Sequence, residues 1–255
     1  MGKLRPRTMM AFGCPHFPYQ NKTAIEVFCK AAEHIKPDIV VSLGDMLSCD
    51  QFSTHSPTYG MPETSYADDV SQANAFLDRI QRHSDRLVMV EGNHEYRVAR
   101  WAAVSARGKG THTMLSPQKV LTAGRKCVYI PYGPSEGTYP HYKVNPRIVA
   151  VHGWSYAKNA TKAHLAISQG RSVIHAHTHR VDSSTVQNIW SPGKIVEAHS
   201  SGCLCKLIPI YGTGTPVEWA NAFILGYLGR HSDSLYTVKI LKNFCILPDG
   251  TEIRA

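Results

Sequence analysis

The feature that most constrains the fold is a repeated unit in which a short apolar run ends directly in a polar motif. Three such runs of strand length, Thr8–Phe12, Asp38–Leu43 and Arg86–Val90, lie in the first part of the chain. Helical spacing of apolar residues occupies the segments between them, at Thr23–Ile35 and Val70–Ile80. Strands that alternate with helices predict βαβ units and mostly parallel pairing.

The remainder of the chain predicts more strands and fewer helices. Short apolar runs predict strands at Lys126–Ile130, Arg147–Val151, Ser172–Ile174 and Lys194–Ala198, and helical spacing is found at Tyr96–Val104 and roughly Asn159–Ser168. Residues 51–66 are rich in Ser, Thr, Pro and Gly and predict a long loop. From Trp219 to Arg254 apolar and polar residues alternate, which predicts antiparallel strands with a turn at Pro248-Asp249-Gly250.

Length and composition favour one large domain. The chain has 255 residues, of which 43% are hydrophobic, and it contains no repeat or linker that would divide it. We therefore expect a single domain over residues 1–255, with a β-rich C-terminal part at 185–255. The sequence shows no run of about 20 apolar residues and no secretion signal, so we expect a cytoplasmic protein without membrane contact.

Cysteine content and charge narrow the expectations further. The seven Cys are predicted to be reduced thiols, and Cys203-Leu204-Cys205 lacks a second Cys pair at zinc-ribbon spacing, so no structural zinc is expected there. The net charge is +9 with His neutral. A basic surface attracts anions such as nucleic acid, although the same charge also serves solubility alone. Both interpretations have equal weight at this stage.

Five polar motifs carry the candidate chemistry, and each follows an apolar run. They are Gly13-Cys14-Pro15-His16, Gly44-Asp45, Gly92-Asn93-His94-Glu95, Val151-His152-Gly153 and His175-Ala176-His177-Thr178-His179. In open α/β sheets, sites form outside the carboxyl ends of the strands, so these motifs are expected to meet at one sheet edge. Their His, Asp, Asn and Cys side chains suit divalent transition metals.

Each motif alone has an ordinary structural explanation. A Gly-Asp pair after a strand is usually a turn, and a single His there is usually a locally hydrogen-bonded residue. His177 and His179 are more specific, because alternate residues of an extended segment share a face and can reach one cluster. The five motifs in this order are far more specific than any one of them.

The order of the motifs resembles the calcineurin-like metallophosphoesterase superfamily, whose pattern is D-x-H, G-D, G-N-H-D/E, a later H, and G-H-x-H. The matching positions span residues 14–179. Two positions depart from the pattern: Cys14 stands where the family has Asp, and Ala176 stands where it has Gly. The segment around Cys203 and the β-rich tail are loosely similar to phage-encoded members.

The resemblance implies a fold and a set of ligands. The fold is α/β (α+β), a four-layer αββα sandwich of two mixed β-sheets flanked by helices. Two divalent metal ions are implied, from among Mn, Zn, Fe and Ni. By motif, the first is held by Cys14, His16, Asp45 and His179, and the second by Asp45, Asn93, His152 and His177. Asp45 is then the bridging carboxylate.

The Cys14 departure leaves three alternatives open. A Cys14 thiolate that binds metal would favour Zn²⁺ or Fe²⁺ over Mg²⁺ or Ca²⁺ at the first position. A weakened first site would leave one-metal activity, and a buried thiol without a metal role is the plainest interpretation. We expect ligation, because Cys14 and His16 have the spacing of the family's D-x-H pair.

The resemblance also implies a mechanism, in which a metal-bridging hydroxide attacks phosphorus. His94 and Asp45 are the predicted catalytic residues: His94 protonates the leaving group or stabilises charge, although a structural His is the alternative. Asn93, His94 and Arg97 are predicted to meet the substrate, and for Arg97 a solvated helix position is equally compatible. The Asp-Arg-Gly segment of protein Ser/Thr phosphatases is missing after Gly44-Asp45.

Three functions remain open from the sequence. The first is a phosphodiesterase or nuclease acting on DNA, RNA or nucleotides, for which Tyr211, Trp219 and Tyr227 are candidate stacking residues and otherwise core residues. The second is a phosphomonoesterase acting on nucleotides or phosphoproteins. The third is a metal-binding or metal-free scaffold without turnover. The oligomeric state stays undetermined.

Overall fold

Thirteen β-strands form two sheets in the part of the chain that the structure describes. The structure is a computed structural model that describes residues 7–54, 64–104, 114–133, 138–187, 193–208 and 217–255. Tyr211 therefore lies outside the described residues. The strands are β1 (Arg7–Phe12), β2 (Ile39–Ser42), β3 (Leu87–Val90), β4 (Cys127–Ile130), β5 (Tyr142–Asn145), β6 (Ile148–Ala150), β7 (Ser172–His175), β8 (Ser183–Gln187), β9 (Ile195–Ser200), β10 (Ala222–Leu228), β11 (Asp233–Leu241), β12 (Phe244–Ile246) and β13 (Glu252–Arg254).

The larger sheet has the order β13-β12-β11-β10-β1-β2-β3-β4. Pairing is parallel from β1 to β4 and antiparallel from β1 through β10 to β13, so the sheet is mixed as expected. The smaller sheet has the order β5-β6-β7-β9-β8, with parallel pairing of β6, β7 and β9 and antiparallel edges. The parallel strands of both sheets supply the ends on which the polar motifs sit.

Helices cover the outer faces of the two sheets. They are α1 (Lys22–Ile35), α2 (Tyr66–Gln81), α3 (Tyr96–Val104), α4 (Pro117–Thr122) and α5 (Ala160–Ala166). Apolar residues of α1 and α2, such as Phe28 and Leu77, pack with Phe12 of β1 against the larger sheet. Leu165 of α5 packs with Val173 of β7 against the smaller sheet.

A separate apolar cluster lies between the sheets. Met9, Val41 and Val88 of the larger sheet pack there with Ile148 and Ile174 of the smaller one. The alternating faces of each strand explain this division, because successive side chains point to opposite sides of a sheet. The result is the predicted four-layer αββα sandwich of two mixed sheets.

The structure corrects the predicted segments at the loop 51–66, of which residues 55–63 lie outside the described part of the chain, and at three elements that were not predicted. The predicted loop 51–66 contains the end of a short 3₁₀ turn at Asp50–Phe52, and α2 begins within it at Tyr66, where the Ser65 side chain accepts a hydrogen bond from the Asp68 N–H. Strands β5 and β8 and helix α4 were not predicted. Within the described residues, no helix has the length and apolar character needed to cross a membrane.

Candidate metal centre

The five polar motifs meet at one edge of the two sheets. Each follows the carboxyl end of a parallel strand, namely β1, β2, β3, β6 and β7. The seven predicted ligands come together there: Cys14, His16, Asp45, Asn93, His152, His177 and His179. Cys14 is fully buried and Asn93 is half-buried. The other five side chains are each less than 8% exposed. Their roles as ligands stay a prediction.

Cys14, His16, Asp45 and His179 form the first donor set. Their ligand atoms all lie within 4.8 Å of one another. Nε2 of His16 lies 3.0 Å from Nε2 of His179 and 3.7 Å from Oδ2 of Asp45. The Cys14 sulfur lies 4.0 Å from the same carboxylate oxygen. One carboxylate, two imidazoles and one thiol therefore face a common point.

Asp45, Asn93, His152 and His177 form the second donor set. Nε2 of His152 lies 3.3 Å from Oδ2 of Asp45, 2.9 Å from Oδ1 of Asn93 and 3.0 Å from Nδ1 of His177. Nδ1 of His152 donates a hydrogen bond of 2.7 Å to the carbonyl of Leu43. Because a carbonyl only accepts, Nδ1 keeps the proton in neutral His152, and Nε2 then has the lone pair that a metal needs.

The donor atoms fit a pair of divalent cations. Metal–nitrogen bonds of about 2.0–2.1 Å place two ligand nitrogens roughly 3 Å apart. The facing nitrogens of His16 and His179, and those of His152 and His177, lie at that spacing. Nε2 of His177 is also buried without a protein partner. Asp45 is common to both sets: its Oδ2 faces donors of each set, and its Oδ1 accepts a hydrogen bond of 3.0 Å from the His94 backbone N–H.

Burial and charge keep most of these imidazoles neutral, as metal ligation requires. Burial lowers the pKa of His177 to about 4 and that of His179 to about 3. Burial likewise lowers the pKa of His16. Burial opposes ionisation of Asp45, but the neighbouring His152 and His94 outweigh it and hold the pKa of Asp45 well below its usual range. Burial raises the pKa of the Cys14 thiol, and the Asp45 charge adds to that effect.

The ligand loops have unusual backbone conformations. Five predicted ligands adopt left-handed φ angles between +50° and +68°: Cys14, His16, Asp45, His177 and His179. Such conformations are rare for residues with side chains, and they concentrate at functional sites. Gly92 has a related constraint, because a Cβ there would overlap the backbone N and Oδ1 of Asp45. The sharp turns after β1, β2 and β7 therefore direct the donors inward.

Glu95, the last residue of its motif, supports Asp45 from behind. Its carboxylate accepts hydrogen bonds from the backbone N–H groups of Asp45 at 3.1 Å, Leu47 at 2.7 Å and Gly92 at 2.9 Å. Burial and the Asp45 charge raise the pKa of Glu95, whereas these backbone donors lower it. Glu95 thus ties the turn after β2 to the turn after β3.

His94 and Arg97 form a pair beside the first donor set. Nδ1 of His94 donates to the carbonyl of Ser48 at 2.9 Å, and Nε2 accepts from Arg97 at 3.2 Å. The carbonyl can only accept and the guanidinium can only donate, so His94 is neutral in this structure. Burial lowers the pKa of His94, and the Arg97 charge adds to the decrease while Asp45 opposes it.

Arg97 lies behind His94 and outside the cleft that His94, Asp45 and His177 line. It donates to the Ser48 carbonyl at 2.9 Å and forms an ion pair with Asp50 at 3.0 Å. It is not among the described residues that line the cleft. Its predicted contact with a substrate phosphate stays a prediction, and what the geometry shows is a contact with His94.

The cleft above the two donor sets has a volume of about 600 Å³. Its lining includes Tyr156, Arg180 and Trp219. The sequence analysis named Trp219 as a candidate stacking residue but did not identify Tyr156 or Arg180. The Tyr156 ring lies 4.0 Å from the His177 ring, and the Trp219 ring lies 4.3 Å from the His179 ring. Arg180 directly follows His179 in the chain, which is the signal that could have identified it. Tyr227 lies elsewhere, packed near Tyr236.

The structure changes the expectation for Cys203 and Cys205. The sequence offered no second Cys pair for a metal, but the fold brings His179 to this pair, with the three ligand atoms within 4.8 Å of one another. All seven Cys are free thiols. Local sequence spacing missed this cluster because its third member lies more than twenty residues upstream, on another strand connection.

Comparisons with known proteins agree with this architecture. A family model described as calcineurin-like phosphoesterase matches residues 8–181. No match was found among curated proteins. Vps29 from Chaetomium thermophilum is similar in structure over 98% of this chain and 91% of its own, at 16% identity and a TM-score of 0.50.

Two further solved structures match at lower TM-scores. The Zn²⁺ complex of Vps29 from Entamoeba histolytica is 13% identical, with 96% of this chain and 95% of that chain covered and a TM-score of 0.49. Yfce, a phosphoesterase from E. coli, is 16% identical, with 92% and 100% covered and a TM-score of 0.38.

Proposed function

The chain belongs to the calcineurin-like phosphoesterase family, and from this premise we propose that it is a metal-dependent phosphodiesterase acting on nucleic acid or nucleotides. The observation that carries the proposal is the convergence of two donor sets on one carboxylate, Asp45. Seven side chains from five separate loops meet at this edge. A stability role alone would not require so many buried polar groups, each of which is costly to desolvate.

The residues divide the work of hydrolysis between them. When bound, the two cations supply a hydroxide nucleophile at neutral pH and neutralise phosphate charge. Asp45 provides the negative charge that both sets share, and His152 is fixed by Leu43 with Nε2 facing the centre. His94 lines the cleft, and its Nε2 must exchange the hydrogen bond from Arg97 for a proton from water before it can protonate the leaving oxygen.

Several features support a nucleic-acid or nucleotide substrate. The net charge of +9 favours anionic partners. Tyr156 is 72% exposed beside the second donor set, and Trp219 borders the first, so both rings are accessible for stacking on bases. Arg180, whose side chain is 22% exposed, lies in the same cleft and can meet a backbone phosphate. A phosphate diester needs such contacts on both sides of the scissile bond.

The test compares a diester with its matching monoester. Metal-stripped protein is reloaded with Mn²⁺, Zn²⁺, Ni²⁺ or Mg²⁺, and hydrolysis of bis-p-nitrophenyl phosphate and p-nitrophenyl phosphate is followed, then that of single-stranded DNA and RNA. We expect faster hydrolysis of the diester and cleavage of at least one nucleic acid. Tyr156→Ala should raise the KM for nucleic acid more than that for the small diester.

Two outcomes would favour the other functions. Useful hydrolysis of the monoester alone would indicate a phosphomonoesterase. Inactivity with all four metals on every substrate, in protein that retains bound metal, would indicate a scaffold without turnover. We also propose a cytoplasmic location, which the seven free thiols support. Disulfide-linked Cys in protein isolated from its native cell would contradict that location.

A further inference from the structure

Behind the first donor set lies a second cluster of soft donors. Nδ1 of His179 lies 4.0 Å from the sulfur of Cys205, and the donor atoms of His179, Cys203 and Cys205 are within 4.8 Å of one another. Cys203 is fully buried, Cys205 is 3% exposed and His179 is 6% exposed. The two nitrogens of the His179 ring therefore face two different clusters, because Nε2 faces His16.

The loop that carries the two thiols is held rigidly. The side-chain amide of Asn221 donates to the carbonyls of Cys203 at 3.1 Å and Cys205 at 2.8 Å. The backbone N–H of Cys203 donates to the Ala220 carbonyl at 3.0 Å, and the Ala220 N–H donates to the His179 carbonyl at 3.0 Å. One short segment before β10 thus fixes both Cys residues relative to His179. Fixed donors of this kind are what a metal site requires.

The donor chemistry distinguishes this cluster from an ordinary buried thiol. A single buried Cys acts as a small apolar residue and needs no ligand. Here two thiols and one imidazole nitrogen converge, and among the hydrogen bonds of the described residues the partner of Nδ1 of His179 is the Cys205 sulfur. Thiolate and imidazole donors together favour Zn²⁺ and similar soft cations over Mg²⁺ or Mn²⁺.

We propose that Cys203, Cys205 and Nδ1 of His179 bind a third, thiophilic divalent cation of the Zn²⁺ class, and that the His179 ring bridges it to the first donor set. Each sulfur exchanges its proton for the cation. The imidazole gives up its one ring proton when both nitrogens bind metal, so three protons pass to solvent and no electrons move. This site goes beyond the proposed function, since its donors bind whether or not phosphate esters are hydrolysed.

The bridge has a consequence for the first donor set. An imidazole shared between two cations carries a negative charge, which adds to the negative charge at the first donor set, where Cys14 stands in place of a carboxylate. Trp219 packs on the same ring with centroids 4.3 Å apart and limits access of water to it. The third cation would therefore hold the His179 ring in position as well as polarise it.

The experiment uses Co²⁺ as a spectroscopic substitute for zinc in the full-length protein. Cys14→Asp is the starting variant, because it removes the only thiol of the first donor set. Co²⁺ is titrated into this metal-stripped variant while the thiolate-to-cobalt charge-transfer band in the near ultraviolet and the number of bound cations are measured. We expect a thiolate band that saturates, with three cations bound per chain.

Further substitutions in the same variant locate the band. Cys203→Ser with Cys205→Ser should abolish it and lower the bound cations from three to two. Cys245→Ser is the matched control, since Cys245 is also fully buried but lies in β12, and it should leave both readings unchanged. In wild-type protein, bound Zn²⁺ should also slow alkylation of Cys203 and Cys205 by at least about tenfold, on the scale by which metal ligation suppresses thiol chemistry.

The proposal fails if the Cys14→Asp variant shows no thiolate band, or if Zn²⁺ does not protect the two thiols from alkylation. Neither measurement requires the Cys203 and Cys205 substitutions to fold. The outcomes also separate this proposal from the proposed function. Phosphodiester hydrolysis without a thiolate band would overturn the third site alone, whereas a band in protein without hydrolysis would support the third site while the proposed function failed.

Discussion

The two donor sets at the sheet edge differ in chemical character although they share Asp45. The second set combines Asn93, His152 and His177, so its donors are oxygen and nitrogen. The first set contains the Cys14 thiol, and its His179 ring also contacts a second pair of thiols. If both donor sets bind cations, the first should therefore prefer a softer metal than the second. The difference arises from a few loop residues, because the strands that carry both sets pair in the same way.

Removing the Asp45 carboxylate should have the largest effect on the rate, because both donor sets contain it. Asp45→Asn keeps the size of the side chain but removes the charge that both sets use. Loss of residues that merely support a ligand already costs about 10–100-fold, so we expect a fall in kcat/KM of more than about a hundredfold.

The same Asp45→Asn protein should lose both catalytic cations in a metal analysis. Asp249→Asn is the matched control, because Asp249 lies in the exposed turn before β13 and should leave metal content and rate unchanged. Wild-type turnover in Asp45→Asn would show that Asp45 is not a shared ligand of the two donor sets.

Removing one imidazole from each half should separate the two sites. We expect His152→Ala and His16→Ala each to lower the rate by roughly 10–100-fold, because each variant lacks one ligand. Each variant should also bind one cation fewer than the wild-type protein. The cation that remains should differ: a thiophilic one in His152→Ala and a harder one in His16→Ala. His34→Ala, at an exposed position of α1, is the control. Identical residual metals in both variants would show that the halves are not chemically distinct.

Removing the Arg97 charge should have an intermediate effect that appears mainly in kcat and in the pH profile. Arg97→Gln removes the cation that lowers the pKa of His94, so the pKa of His94 rises. Activity that requires neutral His94 then begins at a higher pH, and activity that requires protonated His94 persists to a higher pH. We expect kcat to fall by about tenfold, with KM little changed, because the residue acts through His94.

The control for Arg97 lies on the same helix. Arg100 is exposed on α3, and Arg100→Gln should leave the pH profile in place. A change in KM alone for Arg97→Gln would instead indicate that Arg97 binds the substrate phosphate directly. An unchanged pH profile would show that the Arg97 charge does not affect the protonation of His94.

Restoring the carboxylate at Cys14 should have the smallest effect on rate and should sharpen the contrast between the halves. Cys14→Asp replaces a soft donor by a hard one, so we expect metal preference to move from Zn²⁺ towards Mn²⁺, with the best rate changed by less than about tenfold. Competition between the two metals, followed by metal analysis, measures this. Cys29→Ser is a control on the buried face of α1. An unchanged preference would mean that the Cys14 thiol is not a ligand.

The sequence anticipated the parts of the fold that carry a strong local signal. Helix α3 begins and ends where the apolar spacing predicted, and the apolar runs of β1, β2 and β3 match within one residue. Strand β8, by contrast, is a polar, largely exposed edge strand whose Ser and Thr residues gain their structure from pairing with β9. Its conformation depends on tertiary contacts, so no local pattern could have indicated it.

The candidate site shows the same division. The predicted ligands lie together because each follows a parallel strand, and the carboxyl ends of parallel strands meet at one edge of the sheet. The Cys203–Cys205 pair needed the three-dimensional path of the loops after β7 and β9, whereas Arg180 could have been identified from its position directly after His179. The tautomer of His94 likewise depends on a carbonyl from Ser48, which no motif contains.

The most direct test of the two-cation centre is an anomalous-scattering map of crystals grown with Zn²⁺. We expect strong peaks on both sides of the Asp45 carboxylate, one among Cys14, His16 and His179 and the other among Asn93, His152 and His177. A map in which zinc occupies other places and leaves both sides of Asp45 without a peak would contradict it.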